Sequence, residues 1–318
     1  MKVEQLTLRT ATHAVLDIKT MEKSMPIPFD IYIKKEKNYV LIIEAGTLLT
    51  DKIFQLLSLQ KSLYARRDDA EKKKLNCETL SFYIKANQKF PEKNIHFLYK
   101  ANAELFVKML DKEFSSMNVS CLESIANNII ALVKNNERYL KDTIQYFSND
   151  YALDIHSLHV AIYAVNLGNL LNLNADKLLS LGVAGLIHDI GIQKIDDSIT
   201  HKSLELDALE FKQMQKHPKY GVEIIEHNHI HNPYIIDGVL HHHERYDGSG
   251  YPNKLYASQI SEFASILGIC DVFDALTNNR PHRKKHTYFE ALKLMLKDES
   301  MRNKFNDAYL KIFLKSLI

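Results

Sequence analysis

Imidazole and carboxylate side chains cluster in the second half of this 318-residue chain, in patterns that could hold metal ions. Three consecutive histidines, His241 to His243, come just before a loop that contains Gly248 and Gly250. Because adjacent helical residues point about 100° apart, His242 and His243 can reach one metal only near an unwinding helix end. The glycines supply such an end, so the run predicts a metal site that faces a substrate loop.

Other candidate ligands lie apart from this run. His188 and Asp189 close a very apolar helical pattern, and Asp271 lies inside another. A carboxylate among apolar residues is costly unless a partner compensates its charge, and a divalent cation does so. His156 has an alternative interpretation as a hydrogen-bonded core histidine, and His217 as a helix cap. Taken together, imidazoles and carboxylates without a nearby cysteine form a ligand set suited to Fe, Mn, Zn or Co.

Composition limits the classes of partner. Apolar residues make up 46% of the chain and charged residues 25%, as in an ordinary globular protein. Lys and Arg total 41 against 39 for Asp and Glu, and this net charge of +2 argues against DNA binding over a broad basic surface. The three cysteines are widely spaced and are expected to be reduced. With no secretory signal and no membrane segment evident, we expect a cytoplasmic protein.

The elements that position these residues change in type along the chain. Alternating residues 29–34 and 39–44 predict a β-hairpin, followed by a helix over 50–63 and a short strand over 64–67. After about residue 120 the pattern is almost continuously helical. Apolar residues at three- and four-residue intervals predict helices over 153–171, 176–187, 206–215, 218–226, 232–243, 261–274 and 287–297.

The predicted organisation is therefore mainly α. We expect a small mixed α/β regulatory or docking domain over residues 1–115, a linking helix over 116–150 and an all-helical domain over 151–318.

The motifs resemble one known family. The segments 188–191 (HDIG) and 242–252 (HHERYDGSGYP) resemble the HD-GYP family of bacterial cyclic-di-GMP phosphodiesterases. Further matches lie at His217-Pro218 with Gly221, and at 271–277 (DVFDALT) followed by 280–283 (RPHR). The resemblance covers roughly residues 120–318, and its motifs are long, ordered and correctly spaced.

The resemblance implies an all-helical HD-type bundle with a centre of two or three divalent metal ions, for which we expect Fe or Mn. It implies that Asp189 bridges the ions, and it assigns metal ligation to His156, His188, Asp189, His217, His242, His243 and Asp271. It places the loop residues Gly250, Tyr251 and Pro252 beside the nucleotide. Arg280 and Arg283 match basic positions that could meet substrate phosphate or base, with a surface helix cap as the alternative for Arg283.

The implied chemistry is phosphodiester hydrolysis by a metal-activated hydroxide, without a covalent protein intermediate. Asp189 and His188 are the predicted catalytic residues and act chiefly as ligands. Ile192 stands where many members have a lysine, and Lys194 is the hypothetical substitute. Ala152 stands where members with three metals carry a glutamate, which favours two ions here.

Three functions remain open at this point. The leading one is hydrolysis of cyclic-di-GMP to pGpG, GMP or both. Ile192 favours an alternative, a weakly active or inactive cyclic-di-GMP receptor that signals through partner proteins. Such partners would bind through residues 1–115 or the Gly250–Pro252 loop. The third function is hydrolysis of another cyclic or ordinary nucleotide.

Overall fold

The chain folds into two compact units, Met1–Ala101 and Asn102–Ile318. A computed structural model describes residues 12–21, 27, 29–36, 38–45, 47, 49–66, 102–103, 106, 119–135, 140, 153–202, 204–278, 286–298, 300–301 and 303–317. The domain limits expected at residues 115 and 150 remain predictions.

Four antiparallel strands form the sheet of the first unit, in the order β1-β4-β2-β3. They are β1 (His13–Leu16), β2 (Ile31–Lys35), β3 (Asn38–Ile43) and β4 (Leu63–Arg66). The predicted hairpin is confirmed, since β2 and β3 pair with Lys35 opposite Asn38. Strand β1 was not predicted; it pairs with β4. This unit is therefore mixed α/β, as expected.

A helix, α1 (Asp51–Ser58), connects β3 to β4. Its N-cap is Thr50, whose hydroxyl accepts a hydrogen bond from the Ile53 amide at 3.2 Å. Asp51 is the first helical residue and places an acidic side chain in the first turn. Apolar side chains of the strands and of α1 form the core of this unit: Leu16, Ile18, Ile27, Phe29, Ile31, Leu49, Leu57, Leu63 and Ala65.

The described part of the second unit is helical, as predicted. Its helices are α2 (Val119–Asn135), α3 (Leu153–Leu170), α4 (Ala175–Ile187), α5 (Asp197–Thr200), α6 (Ala208–Met214), α7 (His217–His227), α8 (Pro233–His241), α9 (Glu262–Thr277), α10 (Tyr288–Lys297) and α11 (Asp307–Leu317). Helix α11 was not predicted. The helices from α3 to α10 that were predicted begin within two residues of the expected positions.

Polar N-caps explain these accurate helix starts. Asn174 accepts a hydrogen bond from the Lys177 amide at 2.9 Å at the start of α4. Ser261 does the same for the Ala264 amide at the start of α9, and Thr287 with Glu290 forms a capping box at the start of α10. Such caps satisfy amides that have no partner within the helix, and they can be recognised from sequence.

Helices α3 and α9 cross the interior of the bundle, and α3 packs against both α4 and α9. A Cβ at Gly185 of α4 would lie 2.6 Å from the Ala161 Cα of α3, so glycine permits this close approach. Helix α2, which falls in the predicted linking segment, packs on α3 and α4 within the second unit. This packing brings the N-terminal part of α3 and the middle of α9 to the C-terminal end of α4.

The cysteines differ from one another. Cys270 is a free, buried thiol, as expected. Cys121 is disulfide-bonded, so the prediction of a reduced thiol is wrong there. Cys77 lies outside the described residues.

The helices that the structure describes include none of sufficient length and apolar character to cross a membrane.

Candidate metal centre

Two groups of histidine and aspartate side chains meet in the second unit. One group consists of Asp189, His217, His242 and His243, and the other of His156, His188 and Asp189. Within each group the potential ligand atoms all lie within 4.8 Å of one another. Asp189 belongs to both groups, so one carboxylate joins two possible metal positions.

The two oxygens of Asp189 face different imidazoles. Its Oδ1 lies 3.2 Å from His217 Nε2 and 3.5 Å from His242 Nε2. Its Oδ2 lies 3.4 Å from His188 Nε2 and 3.7 Å from His156 Nε2. A cation in either group would therefore have one oxygen of this carboxylate beside it.

Asp271 approaches from α9 and also faces both groups. Its Oδ1 lies 3.3 Å from His156 Nε2, and its Oδ2 lies 3.7 Å from His243 Nδ1. The structure thus brings together all seven residues predicted to be ligands, from five separate helix regions.

Helix ends orient three of the histidines. The Nδ1 atoms of these residues each donate a hydrogen bond of 2.8 Å to the carbonyl oxygen three residues earlier: His188 to Gly185, His217 to Met214, and His242 to Val239. Carbonyls in the last turn of a helix have no partner within that helix, so they are available to an imidazole. Because a carbonyl only accepts, the proton lies on Nδ1 and the lone pair of Nε2 faces the cluster.

These Nε2 atoms are suited to a cation. His188 Nε2 is buried and makes no hydrogen bond with any part of the chain that the structure describes. His217 Nε2 and His242 Nε2 face each other at 3.3 Å. Two lone pairs at this distance repel each other unless positive charge lies between them. The buried imidazole and carboxylate donors therefore fit a divalent transition metal.

The carboxylates of the cluster are ionised. Burial raises the pKa of Asp189, but the neighbouring imidazoles of His188, His217 and His242 lower it more, so the pKa lies well below its usual value. Burial also acts on Asp271, whose pKa is nevertheless lowered by the hydrogen bond from His156 and by the charge of nearby imidazoles. Ionised carboxylates are the form that binds metal.

The imidazoles differ in their affinity for protons. Burial lowers the pKa of His242 to about 4, so this residue is a neutral ligand near pH 7. Burial lowers the pKa of His156 as well, but hydrogen bonds to Asp271 and Asp274 raise it above the usual value. A cation at His156 therefore displaces a proton.

A second layer lies behind His156. The buried carboxylate of Asp274 accepts hydrogen bonds from His156 Nδ1 at 2.7 Å and from His159 Nδ1 at 2.9 Å. Burial raises the pKa of Asp274, but the two imidazoles lower it to about 2. Sequence analysis assigned no role to Asp274 or His159. The available signal was their spacing, since Asp274 lies one helical turn after Asp271, and His159 one turn after His156.

The predicted substrate loop lies beside the cluster. The ring of Tyr251 stacks on His243 with centroids 4.7 Å apart, and the Tyr251 amide donates to the His243 carbonyl at 3.2 Å. A Cβ at Gly250 would lie 2.4 Å from the Arg245 amide nitrogen, so the turn requires glycine. Pro252 follows through a cis peptide bond.

A buried glutamate that sequence analysis overlooked holds this loop. Glu244 Oε1 accepts from the Asn253 amide at 2.6 Å, and Oε2 accepts from the Leu255 amide at 2.9 Å. Its position directly after His243 was the available signal. Glu244 therefore fixes the segment that follows the loop residues.

His241 lies outside the two groups of potential ligands. Its Nδ1 donates to Asp237 Oδ1 at 2.8 Å, and its Nε2 lies 2.9 Å from Asn253 Nδ2. Both nitrogens therefore have partners other than a cation, and His241 connects α8 to the loop.

Lys194 does not lie in the cluster, where its predicted catalytic role would place it. Its Nζ donates to Glu223 Oε2 at 2.7 Å and lies 5.7 Å from the ring centroid of Tyr220, both on α7. These contacts are on the exposed side of the turn Ile190–Lys194, so the structure does not bring Lys194 into the cluster. Gly191 lies against α7 so closely that a Cβ would be 1.9 Å from the His217 carbonyl oxygen.

The remaining predicted substrate contacts, Arg280 and Arg283, lie outside the described residues. Their roles remain predictions.

The second unit matches a known protein family. The family model described as "HD domain" matches residues 121–305, more than half of the chain. A cyclic di-GMP phosphodiesterase of Pseudomonas aeruginosa is 33% identical over 171 residues, which are 54% of this chain and 41% of the relative. The 3′3′-cGAMP-specific phosphodiesterase 2 of Vibrio cholerae is 39% identical over 133 residues, 42% of this chain and 26% of the relative. The chain thus spans less than half the length of these curated relatives.

A solved structure shares the fold. This structure, of a protein described as an HDG"Y"P protein from Bdellovibrio bacteriovorus, superposes with a TM-score of 0.57. The match covers 96% of this chain and 99% of that one, at 16% identity.

Proposed function

Because this chain belongs to the HD domain family, as its motifs predicted, we propose that it is a metal-dependent phosphodiesterase that hydrolyses cyclic di-GMP to pGpG, GMP or both. An HD domain implies divalent metal binding, and the histidine–aspartate cluster supplies the donors. The observation that carries the proposal is the position of Asp189, whose two oxygens each face a separate pair of imidazoles. Bridged metal pairs of this kind suit in-line displacement at phosphorus.

We propose that the cluster holds two divalent ions, Fe or Mn. His156 and His188 would hold one ion, and His217, His242 and His243 the other, with Asp189 between them. Asp271 lies beside both positions. Imidazole and carboxylate donors without a thiolate suit these metals.

Each protein group has a separate part in the reaction. When bound, the ions supply a nucleophilic water of lowered pKa and relieve charge on the phosphoryl oxygens. Asp189 and His188 would act as ligands, with Asp189 between the two positions. The carbonyls behind His188, His217 and His242 keep each Nε2 aimed at the centre without reorganisation. Tyr251 stacks on His243 and covers one face of its ring.

Two relatives point to two related substrates. The Pseudomonas relative, named for cyclic di-GMP, aligns with the larger share of this chain. The Vibrio relative, named for 3′3′-cGAMP, is more identical over a shorter segment. We therefore place cyclic di-GMP first and 3′3′-cGAMP second. A receptor role through protein partners rests on Ile192 and is one outcome of the test below.

The test is a paired assay of hydrolysis and binding. The protein is purified without oxygen and loaded with Fe or Mn, and each dinucleotide is followed by chromatography beside a binding titration. We expect the linear dinucleotide or the mononucleotide to accumulate from cyclic di-GMP. The matched control is the His188→Ala, Asp189→Ala double variant, which lacks metal ligands. Tight binding with no product at stoichiometric protein would replace the phosphodiesterase assignment with the receptor one.

A further inference from the structure

An exposed aromatic residue lies at the edge of the metal centre. Phe211, on α6, is 47% exposed, although it is a large apolar residue. Its ring centroid lies 6.3 Å from that of Tyr251, with the two planes at 82°. Tyr251 in turn stacks on His243 and lies 6.4 Å from the ring of His217. Outward from the cluster, the order is therefore ligand histidine, Tyr251 and Phe211.

Short-range structure fixes Phe211 relative to the ligands. Helix α6 begins with a capping box between Asp207 and Glu210, directly before Phe211. The Phe211 carbonyl accepts from the Gln215 amide at 2.9 Å, and the chain reaches His217 two residues later. Phe211 is thus part of a capped helix that leads into a ligand, and its position does not depend on a flexible loop.

The two aromatic rings at this edge are used differently. Tyr251 already offers a face to His243. Phe211 meets Tyr251 edge to face, and about half of its surface is exposed. A purine has a π-face that stacks on such a ring, and aromatic stacking is a common way for proteins to hold unpaired bases.

We propose that Phe211 is a stacking platform for one purine of the cyclic dinucleotide whose phosphate lies at the metal centre. This inference rests on the proposed function and adds a residue that determines affinity. Phe211 does not reach the reacting atoms, so it should affect KM and not kcat. Because stacking tolerates different bases, Phe211 should serve cyclic di-GMP and 3′3′-cGAMP alike.

The test compares Phe211→Ala with the matched control Leu209→Ala. Leu209 lies on the same helix and is 76% exposed. In the metal-loaded protein, Phe211→Ala should raise the KM and the Kd of both dinucleotides on the order of tenfold, the usual effect of removing one base-stacking ring. Metal content and kcat should stay at the wild-type level. Phe211→Trp should restore wild-type KM, and Leu209→Ala should change neither parameter.

The outcomes separate this inference from the proposed function. Unchanged KM and Kd in Phe211→Ala, with an active wild-type protein, would overturn the stacking role and leave the phosphodiesterase assignment intact. Lost metal in Phe211→Ala, or an equal effect of Leu209→Ala, would also overturn it, because either result indicates a structural role. If the wild-type protein binds neither dinucleotide, both proposals fail together. Binding without hydrolysis still tests Phe211, through Kd.

Discussion

The two halves of the metal centre are held in different ways. In the half that contains His217 and His242, both Nδ1 atoms bond to backbone carbonyls. In the other half, His188 also uses a carbonyl, but His156 relies on the Asp274 carboxylate, which is shared with His159. Backbone partners survive any side-chain substitution, whereas Asp274 can be removed by one mutation. The cluster therefore has a half that depends on helix geometry and a half that also depends on a side chain.

Removing Asp189, the residue shared by the two halves, should remove metal from both halves alike. This is the largest expected effect. Asp189→Ala deletes the oxygens that face both groups, so metal content and hydrolysis should fall to background. The double variant with His188→Ala should behave in the same way. Metal analysis by mass spectrometry measures the result, and the exposed helix cap Asp196→Ala is the control. Metal retained at the wild-type level would show that the ligand assignment is wrong.

Asp274→Asn should weaken only the half that contains His156. His156 donates to Oδ2 and His159 to Oδ1, and an asparagine places an NH2 donor at one of these two positions, so one imidazole must change its tautomer or lose its partner. Loss of an orienting carboxylate typically costs 10- to 100-fold in metal affinity. At limiting metal, we expect stoichiometry to fall from about two ions toward one. His159→Gln, which leaves the bond between Asp274 and His156, should have a smaller effect. Equal loss from both halves would contradict the comparison.

Glu244→Gln tests whether the loop held by Glu244 can be destabilised while both halves of the metal centre keep their metal. Glutamine keeps one acceptor oxygen, so either the Asn253 or the Leu255 amide loses its partner. A buried amide without a partner costs about 1–3 kcal/mol. We expect a lower Tm and a higher KM, with metal content unchanged. Thermal unfolding and metal analysis on the same sample check this, and a loss of metal would show that the loop and the ligands are not separable.

The smallest expected effect concerns two side chains of the turn Ile190–Lys194, those of Ile192 and Lys194. If the residue at position 192 limits turnover, Ile192→Lys should raise kcat a few-fold, by roughly 1 kcal/mol of added electrostatic stabilisation. Lys194→Ala should leave kcat nearly unchanged, since Lys194 pairs with Glu223 at the surface, where such pairs contribute about 0–1 kcal/mol. Steady-state kinetics of both variants decide between the two positions. A large loss in Lys194→Ala would restore its predicted catalytic role.

Local sequence determined the helices and most of the ligands. Apolar spacing and polar caps such as Asn174 and Ser261 act over a few residues, so they can be recognised without tertiary information. The motifs around His188, His217 and His242 are also local. The unpredicted elements, such as β1, depend on a partner, since β1 is a four-residue strand that pairs with β4 about fifty residues later.

Tertiary structure decided how those residues work together. His156 and Asp274 are 118 positions apart in the chain, so no local pattern specifies their hydrogen bond. The separate directions of the Asp189 oxygens, the surface pairing of Lys194 and the proximity of Phe211 to Tyr251 likewise depend on helix packing. Sequence determined which side chains are available and where helices begin, because capping and periodicity are short-range interactions. Only the packed bundle decided which of them share a centre, because that depends on contacts between distant segments.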